Sequence, residues 1–195
     1  MHRTALVSLA AVAGSSLVAS AGEPLLFTQD SRQTSASSEM LFTDDTSLMQ
    51  SDATVPATLF TAFDASDLAI ILQPNGDSAT GLAVMDSGEL DDAFTVTGFV
   101  EAAVNIVDGA QTDAANAQSE SLFDADFQTT DGLGRIIRIT GSVRAESPSD
   151  GTSTQAFAFV RLGNRTVSVD GNGEHSFDLM VNIGAGPVSV HAEAA

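Results

Sequence analysis

Two neighbouring stretches decide the fold: Arg135–Glu146 reads RIIRITGSVRAE and Gln155–Leu162 reads QAFAFVRL. In the first, Ile137, Ile139, Gly141, Val143 and Ala145 fall on one face and Arg138, Thr140, Ser142 and Arg144 on the other. This is the period-two alternation of a strand with one buried side. In the second, Phe157 and Phe159 face one way and Ala156, Ala158, Val160 and Leu162 the other, so both faces are largely apolar and a central strand covered on both sides is expected. Gly163-Asn164 then separates it from Arg165–Val169, and a two-residue loop of this composition supplies the positive φ values of a tight hairpin. Asp170-Gly171-Asn172-Gly173 leads into Glu174–Ile183, with Phe177, Leu179, Val181 and Ile183 on one face and His175 starting it. Gly184-Ala185-Gly186-Pro187 leads into Val188–Glu193. Three consecutive hairpins are expected.

Outward from this array the same grammar recurs. Leu122–Gln128 places Phe123, Ala125 and Phe127 inward and Asp124 and Asp126 outward. Phe94–Val107 alternates over its whole length, with a bend or bulge expected at Gly98. Gly81–Met85 reads as a short buried strand. The run Leu68–Leu72 closes on the turn Gln73-Pro74-Asn75-Gly76-Asp77. Asp108–Ser119 reads as a loop or a short helix, and residues 22–56 as a less regular segment with one or two edge strands. Short strands at close spacing with almost no helical periodicity specify an all-β fold, an antiparallel, jelly-roll-like β-sandwich of roughly nine or ten strands. Residues 22–195 form its single domain.

The N-terminus has a different character. Met1-His2-Arg3 is a short basic region, Ala5–Val18 is mostly apolar, and Ala19-Ser20-Ala21 fits a small-residue cleavage site. Residues 1–21 read as a secretory signal peptide, which makes the expected location secreted, extracellular or periplasmic, with no membrane insertion after cleavage. The chain has no Cys, Lys, Tyr or Trp, and 26 acids face 7 Arg. No disulfide or thiolate metal site can therefore form, and nucleic acid, whose phosphates need basic counter-surfaces, is excluded as a partner class. At this charge self-repulsion is strong unless salt screens it. The charge is unevenly spread: residues 22–134 carry 20 acids and one Arg, residues 135–195 carry 6 acids and 5 Arg. Arg138, Arg144 and Arg161 are accordingly the candidates for gripping an extracellular glycan or protein partner. Cross-strand pairing with neighbouring acids is the competing role for the same side chains.

Candidate chemistry is sparse. Asp170, Asn172 and Glu174 offer hard oxygen ligands at alternate positions, as a Ca²⁺ loop does, but without the later glycine and bidentate glutamate of an EF-hand. A Ca²⁺-stabilised adhesion module is one reading, and a protein without cofactor the other. Leu82–Met85 followed by Asp86-Ser87-Gly88 is similar to the active-site turn of aspartic proteases, in which two aspartates share a proton. That resemblance implies a hydrolase using Asp86 from each of two subunits. Neither His175 nor His191 has a clear triad partner in the sequence.

The phrases Ser121-Leu122-Phe123-Asp124-Ala125-Asp126-Phe127 and Ile139-Thr140-Gly141-Ser142-Val143, followed by Gly184-Ala185-Gly186-Pro187 before Val188-Ser189-Val190-His191-Ala192, carry a second resemblance. Over about residues 121–195 the chain resembles exported bacterial β-sandwich proteins, namely pre-peptidase C-terminal-like jelly rolls and uncharacterised surface proteins of the PEP-sorting type. The resemblance implies an accessory role without catalysis. The expectation is a secreted, non-catalytic structural or binding protein of the cell exterior.

Overall fold

The structure, a computed structural model of the chain, describes residues 7–19, 25–56, 61–88, 93–107, 111–129, 135–146, 157–170, 173–183 and 187–195. These form β1 (Val7–Ala19), β2 (Leu25–Phe42), β3 (Ser47–Thr54), β4 (Phe63–Leu72), β5 (Ser78–Ser87), β6 (Ala93–Asn105), β7 (Thr112–Thr129), β8 (Arg135–Glu146), β9 (Phe157–Leu162), β10 (Arg165–Asp170), β11 (Gly173–Ile183) and β12 (Val188–Ala194). Two six-stranded sheets result: sheet A in the order β11-β8-β1-β6-β5-β4, and sheet B in the order β10-β9-β12-β7-β2-β3. Every pairing is antiparallel.

The sheets meet face to face. Ala65, Ala83, Met85, Val96, Val100, Val143, Ala145 and Phe177 of sheet A share one buried cluster with Phe123, Phe127, Ala158, Val160, Val190 and Ala192 of sheet B. The alternation that identified the strands is thus the alternation that fills the core, Val143 and Ala145 being buried while Arg144 between them is exposed. The two sheets approach closely at Gly81, where a Cβ would come within 2.7 Å of the Gln118 carbonyl oxygen and 3.0 Å of that of Ser37. Small residues on β7 follow from that approach: Ala115, Ala117 and Ser119 occupy its inward positions. Their composition is why residues 112–119 were read as loop or helix, although they begin a strand.

Six expectations change. There are twelve strands among the described residues, against roughly nine or ten expected, and one of them, β1, lies within residues 1–21, which the sequence marks as a leader. β2 hid its alternation by placing polar groups inward, where Asp30, Arg32, Thr34 and Ser38 are buried alongside Ala36 and Met40. Of the three hairpins only β9–β10 exists; β10 to β11 and β11 to β12 both cross between the sheets, so β11 pairs with β8, and β12 with β7 and β9. Alternation specifies a strand but not its partner. In that one hairpin Gly163 has φ +55° and Asn164 does not adopt positive φ, so only the first loop position needs glycine, as in a type II′ turn. β6 passes through Gly98 with no shift of register on either side. β9 is central within its sheet, but only its Ala158 and Val160 side is buried; Phe157 and Phe159 stand half-buried on the outer face. His175, expected on the apolar side of its strand, is exposed at the start of the edge strand β11.

Buried polar groups hold the two sheets in register. Arg32 forks onto Asp30 on its own strand (Nε–Oδ1 2.6 Å, Nη2–Oδ2 2.5 Å), donates through Nη1 to the Thr61 carbonyl (2.6 Å) and the Ser87 hydroxyl (2.9 Å), and lies 5.4 Å from the Phe63 ring centroid. Asp77, after β4, accepts from Val107 N–H (2.7 Å), Thr112 Oγ1 (2.5 Å) and Asn75 Nδ2 (2.8 Å), joining the β4–β5 turn to the end of β6 and the start of β7. Where the edges β3 and β4 adjoin, inward-facing Asp67 accepts from the amide (2.9 Å) and hydroxyl (2.5 Å) of Thr54, and Gln50 Oε1 accepts from Ile70 N–H (3.0 Å). A charge turned inward on an edge strand is a known guard against edge-to-edge association.

Candidate binding face

Sheet B carries a set of polar and aromatic side chains on its outer face, and the register sets them in rows. One row crosses Thr166, Arg161, His191, Asp124 and Ser31 on successive strands β10, β9, β12, β7 and β2. The next crosses Ser168, Phe159, Glu193, Leu122 and Gln33. Antiparallel neighbours directly opposite one another bring their side chains within contact of adjacent rows. Phe159 stacks on the His191 imidazole with centroids 5.1 Å apart and planes 17° from parallel, and Phe157 lies beyond it at 6.3 Å and 16°. His191 in turn sits between two carboxylates, Nδ1 3.6 Å from Asp124 Oδ1 and Nε2 3.3 Å from Glu193 Oε2. Three flat rings thus lie nearly parallel on an open sheet, with Arg161, Asp124 and Glu193 beside them.

The platform borders a depression. β12 ends at Ala194, opposite Ser121, while β7 runs on to Thr112 without β12 beside it. There the surface falls into a cavity of about 700 Å³ whose rim includes Ser35, Ser37, Gln118, Glu120, Phe157 and Glu193. A site with the Phe157 ring at one end and hydroxyl, amide and carboxylate groups along the rest can take a polyhydroxylated ligand. The rings supply apolar contact area, and the polar groups exchange hydrogen bonds with hydroxyls.

The sequence-derived candidates fall elsewhere or apart. Arg138 and Arg144 lie on β8 in sheet A, and Arg161 on β9 in sheet B, so the three arginines share no face. Arg144 stands directly opposite Glu174 on β11, the cross-strand placement that suits pairing. Asp170 ends β10 in sheet B and Glu174 begins β11 in sheet A, while Asn172 lies outside the described residues. Among the described residues no group of three or more His, Cys, Asp or Glu is placed to hold a metal ion. Asp86 is exposed on the outer face of sheet A, in register with Asp64 and Thr97. Ser87, which an aspartic-protease turn would use to orient the aspartate, points inward and binds Arg32 and the Phe63 carbonyl (3.4 Å). Phe157 and Phe159 were legible as an aromatic pair on one face; their stack on His191 was not, because β9 and β12 are neighbours only in space.

No family model, no curated protein and no solved structure matches the chain.

Proposed function

We propose that this is an exported, non-catalytic binding module of the cell exterior whose outer sheet-B face recognises a glycan. The observation that carries the reading is the stack Phe157–Phe159–His191 on an open sheet, flanked by Asp124, Glu193 and Arg161. The rings stand half-buried on the outer face and not in the core, and aromatic surface beside hydrogen-bonding groups offers the contact a sugar ring needs. Export is supported by the basic, apolar and small-residue succession in residues 1–21. The formal charge of −19 directs the expected ligand toward neutral or cation-bridged polysaccharides, since an anionic chain is repelled.

A glycan array probed with the full chain tests this. Binding to at least one neutral polysaccharide class is expected, lost in Phe159→Ala, weakened in Asp124→Asn and unchanged in Arg138→Ala plus Arg144→Ala, which alters sheet A only. Binding that survives Phe159→Ala but is lost in the double arginine variant would move the site to the other sheet and end this reading. The N-terminal mass of the exported protein tests leader removal separately, residue 22 being the expected first residue.

A further inference from the structure

The segment with the character of a leader is also an interior strand. β1 pairs with β6 from Val7↔Val104 to Val18↔Ala93, and with β8 from Ala10↔Glu146 to Ala19↔Ile137. Its removal on export, the reading on which this inference rests, opens sheet A between β6 and β8 and exposes two facing backbone edges. Both strands run antiparallel to β1 and hence parallel to each other, so they cannot simply continue the antiparallel ladder. Their separation is two strand spacings, about 9–10 Å, and closing the gap would slide half of sheet A by about 4.8 Å across sheet B. Val96 and Val100 on one side of the gap and Val143 and Ala145 on the other are locked into the same core cluster with Phe123, Phe127 and Val160, which opposes that slide because close-packed interiors do not deform continuously.

We propose that the chain without residues 1–21 presents a strand-acceptor slot between β6 and β8, filled at the cell exterior by an extended segment of another protein. The occupant's chemistry is set by the strand that the slot holds here. Val7–Ala19 contains only Val, Leu, Ala, Gly and Ser, with no charge and no proline. The ligand is therefore an uncharged, proline-free segment of about a dozen small and apolar residues, running antiparallel to both edges. Main-chain hydrogen bonds on its two sides supply affinity, and alternate side chains supply selection, as in other cases of strand addition.

The experiment uses the full chain with a protease site inserted between Ala21 and Gly22. After cleavage of the folded protein, fragment 1–21 is expected to remain bound through gel filtration. Residues 22–195 are then unfolded, freed of the fragment and refolded with or without a labelled peptide of residues 5–19, or with the same peptide carrying Ala11→Pro and Ala13→Pro. The expected result is uptake of the peptide at one per chain, with amide protection appearing on β6 and β8. The proline peptide should bind at least about a hundredfold more weakly, since each proline removes a ladder donor within a sheet. Refolding to the same protection without peptide, equal binding of the two peptides, failure to refold with either, or filling of the slot by a second copy of the chain would each overturn the proposal. Retention of residues 1–21 in the exported protein would defeat the export reading alone and leave the slot measurement standing.

Discussion

Replacing Arg32 with methionine should destabilise the protein by about 3–5 kcal/mol, the usual consequence of removing one partner of a buried ion pair. The size follows from what is left behind. The Asp30 carboxylate, whose side chain is fully buried like that of Arg32, loses its bidentate partner, and the Thr61 carbonyl loses its 2.6 Å donor. Phe63 loses the cation 5.4 Å from its ring, a smaller contribution of about 0.5–2 kcal/mol. Burial of the carboxylate without its guanidinium partner dominates, so removing that charge as well should reverse most of the loss. The variant with Asp30→Leu and Arg32→Met together is expected within about 2 kcal/mol of the parent, the residue of the deficit being the hydrogen bond from Arg32 that the Thr61 carbonyl loses. Ser87 stays satisfied through Phe63. The chain has neither Trp nor Tyr, so unfolding in urea is followed by far-ultraviolet circular dichroism and ΔG taken from the linear dependence on denaturant. If Arg32→Met cost less than about 1 kcal/mol, or the double variant were no more stable than the single, the pair would not be the buried anchor described.

Other perturbations test separate parts of the fold. Gly81→Ala should cost about 1–3 kcal/mol, because the new Cβ meets backbone oxygens of Gln118 and Ser37, which cannot move aside as a flexible side chain would; urea unfolding reads it. Asp77→Ala should cost about 2–4 kcal/mol by leaving the Val107 amide without this acceptor and the Thr112 hydroxyl with only the Met40 sulfur at 3.8 Å, with hydrogen exchange at Val107 accelerated beyond the global change. Asp44 is held below the usual carboxylate range by the hydroxyl and amide of Thr46. A depressed carboxylate stabilises the fold above its unfolded pKa and loses that contribution as pH falls through its folded value. The Phe42–Ser47 turn should therefore loosen on acidification, Thr46 amide exchange reporting it, and Asp44→Asn should remove the pH dependence. With a formal charge of −19, the unfolding midpoint of the whole chain should rise with added NaCl as self-repulsion is screened.

The sequence made visible those strands whose buried face is apolar and whose outer face is polar. In β6 from Val96, β7 from Ser121 and β8 from Ser142 the residues expected inward are the buried ones, because Val, Ala and Phe alternate there with Thr, Asp and Arg. β2 was not, since its inner face reads Asp30, Arg32, Thr34, Ala36, Ser38, Met40. Charges compensate one another in the core there, and hydropathy does not register pairing. The run Leu68–Leu72 posed the converse problem: it looks continuously buried, yet Leu68, Ile70 and Leu72 face outward on edge strand β4 and are exposed. Partner choice was least legible. Turn residues at 171–173 and 184–187 predicted hairpins, whereas the chain crosses to the other sheet at both, because which edge a strand meets depends on the whole topology and not on its flanking loop. The binding face inherits this limit, since Phe159 and His191 become neighbours only through the β9–β12 pairing.

The most direct test of the recognition claim is an amide chemical-shift map of the full chain titrated with a glycan that binds on the array. The account predicts saturable shifts in residues 157–161, 189–193 and 118–126, with the outer face of sheet A around Asp64 and Asp86 unchanged. Shifts centred on sheet A, or none along β9 and β12 at saturation, would contradict it.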